Sequence, residues 1–114
     1  MVQFADLAKP LILRDRADVA LCIEVGEHVP EEFLEKFLDN IAIFATEMMI
    51  VSWAVPGQRG RGHVSCLDPD WVAAELGLRG WTVSEKTEAA RQMAGKGWNK
   101  KLLVLEPDKL ELEA

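Results

Sequence analysis

The spacing of apolar and polar positions changes several times along the chain, and each change predicts an element. Val2-Gln3-Phe4-Ala5-Asp6-Leu7 alternates with the period of a half-buried strand. Lys9-Pro10 turns the chain there, because proline disfavours helix at the residue before it. Asp18-Val19-Ala20-Leu21-Cys22-Ile23-Glu24-Val25 is an apolar run with polar residues only near its ends, which predicts a central strand covered on both faces by helices. After Gly26-Glu27-His28, Pro30 suits the first turn of a helix. Phe33, Leu34, Phe37, Leu38, Ile41 and Phe44 then recur at three- and four-residue intervals, giving one greasy helical face.

Met48 to Ala54 is a second continuous apolar run, closed by Pro56-Gly57 into a loop rich in glycine and arginine. Asp68-Pro69 reads as an N-cap followed by the first helical residue, with Trp71, Val72 and Leu76 on the buried face and Gly77 and Gly80 as terminators. Trp81-Thr82-Val83 makes a short strand. Ser84 with Thr87 and Glu88 starts a helix that runs to Gly95, and Leu102 to Leu105 is the last strand, ahead of an acidic tail at 107–114.

Strands alternating with helices predict one α/β layered domain over 1–114, with 1–17 as an N-terminal strand and turn. The sheet is expected to be mostly parallel. Only six residues separate Gly95 from Leu102, so the last strand is expected to run antiparallel. Ligands of such sheets bind outside the carboxyl ends of the strands, which directs attention to 24–30 and 52–63.

Composition narrows the function classes. With 114 residues, a single domain is the limit, and a chain of this size buries roughly two-thirds of its unfolded surface without needing staples. Cys22 and Cys66 have no paired spacing and follow no signal peptide, so neither a disulfide framework nor a cysteine metal site is expected, and a reducing cytoplasm fits. No apolar run approaches the roughly 20 residues of a membrane helix. Thirteen Lys and Arg against 19 Asp and Glu give a net charge of −6, which argues against a nucleic-acid footprint. The clusters Arg59/Arg61 and Lys96/Lys100/Lys101 read as solvated surface.

Glu24-Val25-Gly26-Glu27-His28-Val29-Pro30 places two carboxylates and an imidazole where the first long strand gives way to the first helix. His28 could act as a general base with a glutamate fixing its tautomer, or Glu27 and His28 could simply cap helix amides. In the second loop, Gln58, Arg59, Arg61 and His63 offer donors for a carboxylate or phosphate, and three glycines allow close backbone approach. The spacing is not that of a Walker loop. Of the four tryptophans, Trp71 and Trp81 read as core, while Trp53 and Trp98 could line a pocket. Cys22 reads as a buried small residue. No histidine and carboxylate pair has metal-ligand spacing on one element, so no metal is expected.

Asp18 to Pro30, then Ser52-Trp53-Ala54-Val55-Pro56-Gly57-Gln58, then Gly62-His63-Val64, then Arg91 and Trp98 before the last strand, together resemble the C-terminal half of class I S-adenosylmethionine-dependent methyltransferases. They are similar in particular to a bacterial and viral subgroup reading roughly EVxEHIP … SWAxPGQxGxGHVN … W. The resemblance runs from Phe4 to Glu106, with Ser65 standing where the subgroup often has asparagine.

It implies a three-layer Rossmann-like fold, S-adenosylmethionine as cofactor and a small-molecule methyl acceptor. Asp6 and Leu7 would border adenine, Glu24 and Glu27 the methionine end, and His28, Trp53, Gln58 and His63 the acceptor. Arg61 and Trp98 would join the substrate side, with His28 or His63 as base. The family's glycine-rich loop and second-strand acidic residue have no counterpart ahead of Asp6, so a truncated domain is implied. The Asp18–Val25 strand would then be an apolar edge. That edge implies a homodimer, a non-enzymatic dimerising remnant, or a separate chain supplying the missing half.

Overall fold

The computed structural model describes residues 5–10, 16–97 and 100–108. In chain order these form β1 (Ala17–Ile23), α1 (Leu34–Phe44), β2 (Ala45–Ser52), α2 (Pro69–Gly77), β3 (Trp81–Val83), α3 (Lys86–Ala94) and β4 (Leu103–Pro107), with 3-10 turns at Gly26–His28 and Glu31–Phe33. The sheet order is β1-β2-β4-β3; β1 and β2 pair in parallel, and β4 runs antiparallel to both β2 and β3. Three strands therefore point one way with the last inserted against them, as the short α3 to β4 connection predicted.

The expected helical stripe makes α1: Leu34, Phe37, Leu38 and Ile41 are buried, while Phe33 and Phe44, at its two ends, are more than a third exposed. The chain passes from α1 into β2 without a loop. Arg16 makes that junction possible, its guanidinium donating to the carbonyl oxygens of Ile43 (2.6 Å) and Ala45 (3.2 Å), groups the helix end leaves unpaired. Strand β2 thus starts three residues before Met48. At α2, the Asp68 side chain accepts from the Asp70 N–H at 2.8 Å with Pro69 in the first turn, the expected cap. Phe37, Leu38, Met49, Val51, Trp53, Val72, Leu76 and Leu105 form the centre of the core, each at most 1% exposed.

Four expectations are corrected. Asp18–Val25 is not a central strand covered on both faces: β1 is the sheet edge, and Val19 (47%), Leu21 (70%) and Ile23 (38%) face outward. An apolar run reports that a strand can be covered, and the covering element is absent among the described residues. Ala5 to Leu7 is not strand but leads into a turn, because the Asp6 carboxylate captures the Ala8 N–H (3.0 Å) and its carbonyl the Lys9 N–H (3.3 Å). Residues 2–4 of that expected strand lie outside the described residues, as does the acidic tail from 109 onward. Trp71 is not core but 41% exposed, since the α2 stripe is carried by Val72 and Leu76. Lys101, expected on the solvated surface, is only 8% exposed. No helix among the described residues is long and apolar enough to cross a membrane.

Candidate functional site at the sheet rim

Ile23 lies opposite Ser52 in the parallel β1–β2 pair, so the two strands leave the sheet side by side and deliver Glu24 and Trp53 to one rim. Because β4 is antiparallel and places Leu103 opposite Val51, its amino end brings Lys101 to the same rim. Three segments distant in sequence meet there.

Glu24 is the only described non-glycine residue with positive φ, at 54°. Such left-handed backbone costs on the order of 1 kcal/mol outside glycine and persists where neighbours hold it. Here the Glu24 N–H donates to the Ser52 carbonyl oxygen and to Ser52 Oγ, both at 3.1 Å, while Ser52 Oγ donates to Glu24 Oε2 at 3.2 Å. Lys101 Nζ forms an ion pair with Glu24 Oε1 and donates to Gln58 Oε1 at 3.2 Å, and Gln58 Nε2 donates back to Glu24 Oε1 at 3.4 Å. The Glu24 and Lys101 side chains are 23% and 10% exposed, so the pair is shielded but reaches solvent through the carboxylate.

Beside it lies a second cluster. The Glu27 carbonyl oxygen accepts from the N–H groups of Val64 (2.8 Å) and Ser65 (2.9 Å), which clamps the 26–28 turn to the 60–66 loop. Ser65 Oγ adds a bond to the Val29 carbonyl at 2.6 Å, and Trp53 Nε1 donates to the Ser65 carbonyl at 2.6 Å. The Glu27 side chain is 1% exposed, and neither carboxyl oxygen has a hydrogen-bond partner; His28 Nε2 stands 3.9 Å from Oε1. His28 Nδ1 lies 3.1 Å from the Gly62 carbonyl and His63 Nδ1 3.2 Å from the Gln58 carbonyl, with the rings edge to face at 5.0 Å. A carbonyl only accepts, so each Nδ1 carries a proton. Cys66 Sγ is 3.7 Å from His63 Nδ1. Beneath them, burial and then the charge of Glu27 push the Cys22 thiol up to about 11.

The structure brings together Glu24, Glu27, His28, Gln58 and His63 from the sequence-derived set. Arg61 is exposed on the same loop, and Trp98 lies outside the described residues. Trp53 does not face an acceptor: it is 1% exposed, packs edge to face on Phe37 at 5.8 Å, and occupies the space a side chain at position 26 would need, 2.2 Å from where a Gly26 Cβ would stand. Asp6 is engaged in its own turn, and Leu7 packs beside α1 and β1, where Asn40 Nδ2 donates to its carbonyl at 2.6 Å. Sequence reasoning missed Ser52 and Lys101. The signal for Lys101 was its place just ahead of an antiparallel last strand, whose start must fall at the end of β2.

No family model matches the sequence, and no curated protein does. Among solved structures, the chain is similar to the magnesium protoporphyrin IX methyltransferase (ChlM) from Synechocystis PCC 6803 with bound SAH, with a TM-score of 0.57 and 20% identity over 90% of this chain. The match spans 48% of that chain, about half its length. The fold of this chain is therefore a methyltransferase-like, Rossmann-type α/β fold.

Proposed function

We propose that the chain forms part of a site that transfers a methyl group from S-adenosylmethionine to a small molecule, its rim meeting both the cofactor's amino-acid end and the acceptor. One observation carries this reading: in a methyltransferase-like fold, Glu24, Gln58, His28 and His63 converge from separate segments at the carboxyl ends of β1 and β2, where open α/β sheets take their ligands. S-adenosylmethionine supplies an electrophilic methyl on a sulfonium. The residues of this chain fit its amino-acid end by charge, Glu24 matching an ammonium and Lys101 a carboxylate. Held in the left-handed conformation by Ser52, Glu24 is fixed in place before a ligand arrives, and such positioning is the main contribution a protein makes to methyl transfer. His28, nearly half exposed, meets the acceptor with His63; Glu27, fully buried, acts only through them.

A thermal melt with and without millimolar S-adenosylhomocysteine tests this. A ligand at about a hundred times its Kd adds roughly 2.7 kcal/mol, several degrees for a domain of this size. The expected result is that rise, with the increment lost in Glu24→Gln. No rise in the wild-type chain overturns the reading.

The open edge of β1 and its outward Val19, Leu21 and Ile23 favour a second reading, a domain that dimerises through this edge without transferring methyl groups. A stable dimer with no response to S-adenosylhomocysteine is the result that would select it.

A further inference from the structure

The Glu27–His28–His63 cluster is not explained by folding. Burying a carboxyl group that makes no hydrogen bond is unfavourable, and Glu27 is 1% exposed with both oxygens unpartnered. One ligand atom from each of the three side chains lies within 4.8 Å of the other two. Both imidazoles are oriented as metal ligands are: Nδ1–H is donated to a main-chain carbonyl, of Gly62 for His28 and of Gln58 for His63, so Nε2 is the nitrogen left to ligate a cation. The loop is shaped around the rings. A Cβ at Gly60 would stand 2.4 Å from His63 Nε2, and one at Gly62, where φ is +78°, 3.1 Å from His28 Nδ1. A side chain at Gly60 would displace the His63 ring, and one at Gly62 would be strained by its backbone and press on His28.

We propose that Glu27, His28 and His63 bind one divalent transition-metal cation, of which zinc is the best match. Two imidazoles and a carboxylate are the donors of a three-ligand zinc site with an open fourth position, and nitrogen donors disfavour magnesium and calcium. With metal–ligand distances of about 2.0–2.2 Å, tetrahedral ligand atoms stand about 3.4 Å apart, so the cation draws the side chains together by roughly an ångström. It supplies the partner Glu27 lacks, while the exposed side of His28 gives it an entry path. Spacing along the chain led to the expectation of no metal, because the ligands sit on two segments brought together by the Glu27–Val64 and Glu27–Ser65 bonds. Any role of the cation in methyl transfer would rest on the reading above; its binding does not.

The test is titration of chelator-treated protein with Zn2+ by calorimetry and with Co2+ by visible absorption. Expected are one cation per chain and a Co2+ spectrum containing nitrogen and oxygen ligation. His28→Ala, His63→Ala and the near-isosteric Glu27→Gln should each weaken binding by more than about tenfold, whereas Cys66→Ser should leave it unchanged. Should an alanine variant fail to fold, anomalous diffraction from zinc-soaked wild-type crystals decides, with the peak expected between Glu27 and the two imidazoles. No saturable uptake up to roughly millimolar Zn2+, or binding that is lost in Cys66→Ser but kept in Glu27→Gln, overturns the proposal.

Discussion

Cys22 shows how a buried residue reports on the chemistry above it. Its thiol, on the inner face of β1, is pushed from 9.0 to about 11 by burial first and by the charge of Glu27 second. Between those values the unfolded chain ionises its thiol while the folded chain does not, so the unfolded state holds fewer protons and stability falls as pH rises from 9 to 11. Below pH 9 the thiol contributes no slope. The total loss is on the order of 2–3 kcal/mol, and Cys22→Ala should remove that part of the decline when denaturation midpoints are compared at pH 8 and 11. A pH dependence identical in both proteins would show that the thiol does not carry this shift. At this scale the sequence was informative about residue type: Cys22 between Leu21 and Ile23 reads as buried, and Glu24, Glu27, His28, Gln58 and His63 stand where strand ends predict a rim. It could not place Trp53 and Trp71. An indole can serve either core or groove, and which one depends on the helix stripe around it; Trp71 lines an open groove of about 560 Å³ with Leu34, Val64 and Cys66.

Elements whose ends carry local chemistry were legible: Asp68-Pro69 starts α2, and Gly95, at φ 82°, ends α3. What local pattern could not reveal is which ends meet. Lys101 is a surface lysine by sequence neighbours and a rim residue by topology, because β4 enters the sheet antiparallel beside β2. Removing one partner of a shielded ion pair leaves the other uncompensated, so Lys101→Met should destabilise by about 2–3 kcal/mol, less than for a fully buried pair because Glu24 retains some exposure. Adding Glu24→Gln to Lys101→Met should recover a large part of that loss in urea unfolding. Strict additivity of the two single substitutions would mean that the pair is not coupled.

For the whole molecule, the open side of β1 is the outstanding feature. Edge strands invite pairing, and this one also presents Val19, Leu21 and Ile23 on a face that no other described element covers. We expect a second copy to dock there, giving a dimer by sedimentation velocity at micromolar concentration that Leu21→Glu disrupts without loss of helical circular dichroism. A clean monomer for the wild-type chain would contradict this. The fold class was legible because alternation of strand and helix, with one short final connection, admits few topologies. The edge position of β1 was not legible from its apolar run, which is the same whether a neighbour is present or not.

The most direct test of the proposal that the rim is a methyl-transfer site is amide chemical-shift mapping of the labelled chain during titration with S-adenosylhomocysteine. Saturating shifts concentrated at Glu24–His28 and 52–63 are the expected result. Shifts confined to the Trp71 groove, or none at millimolar ligand, would contradict the assignment of the site to the carboxyl ends of β1 and β2.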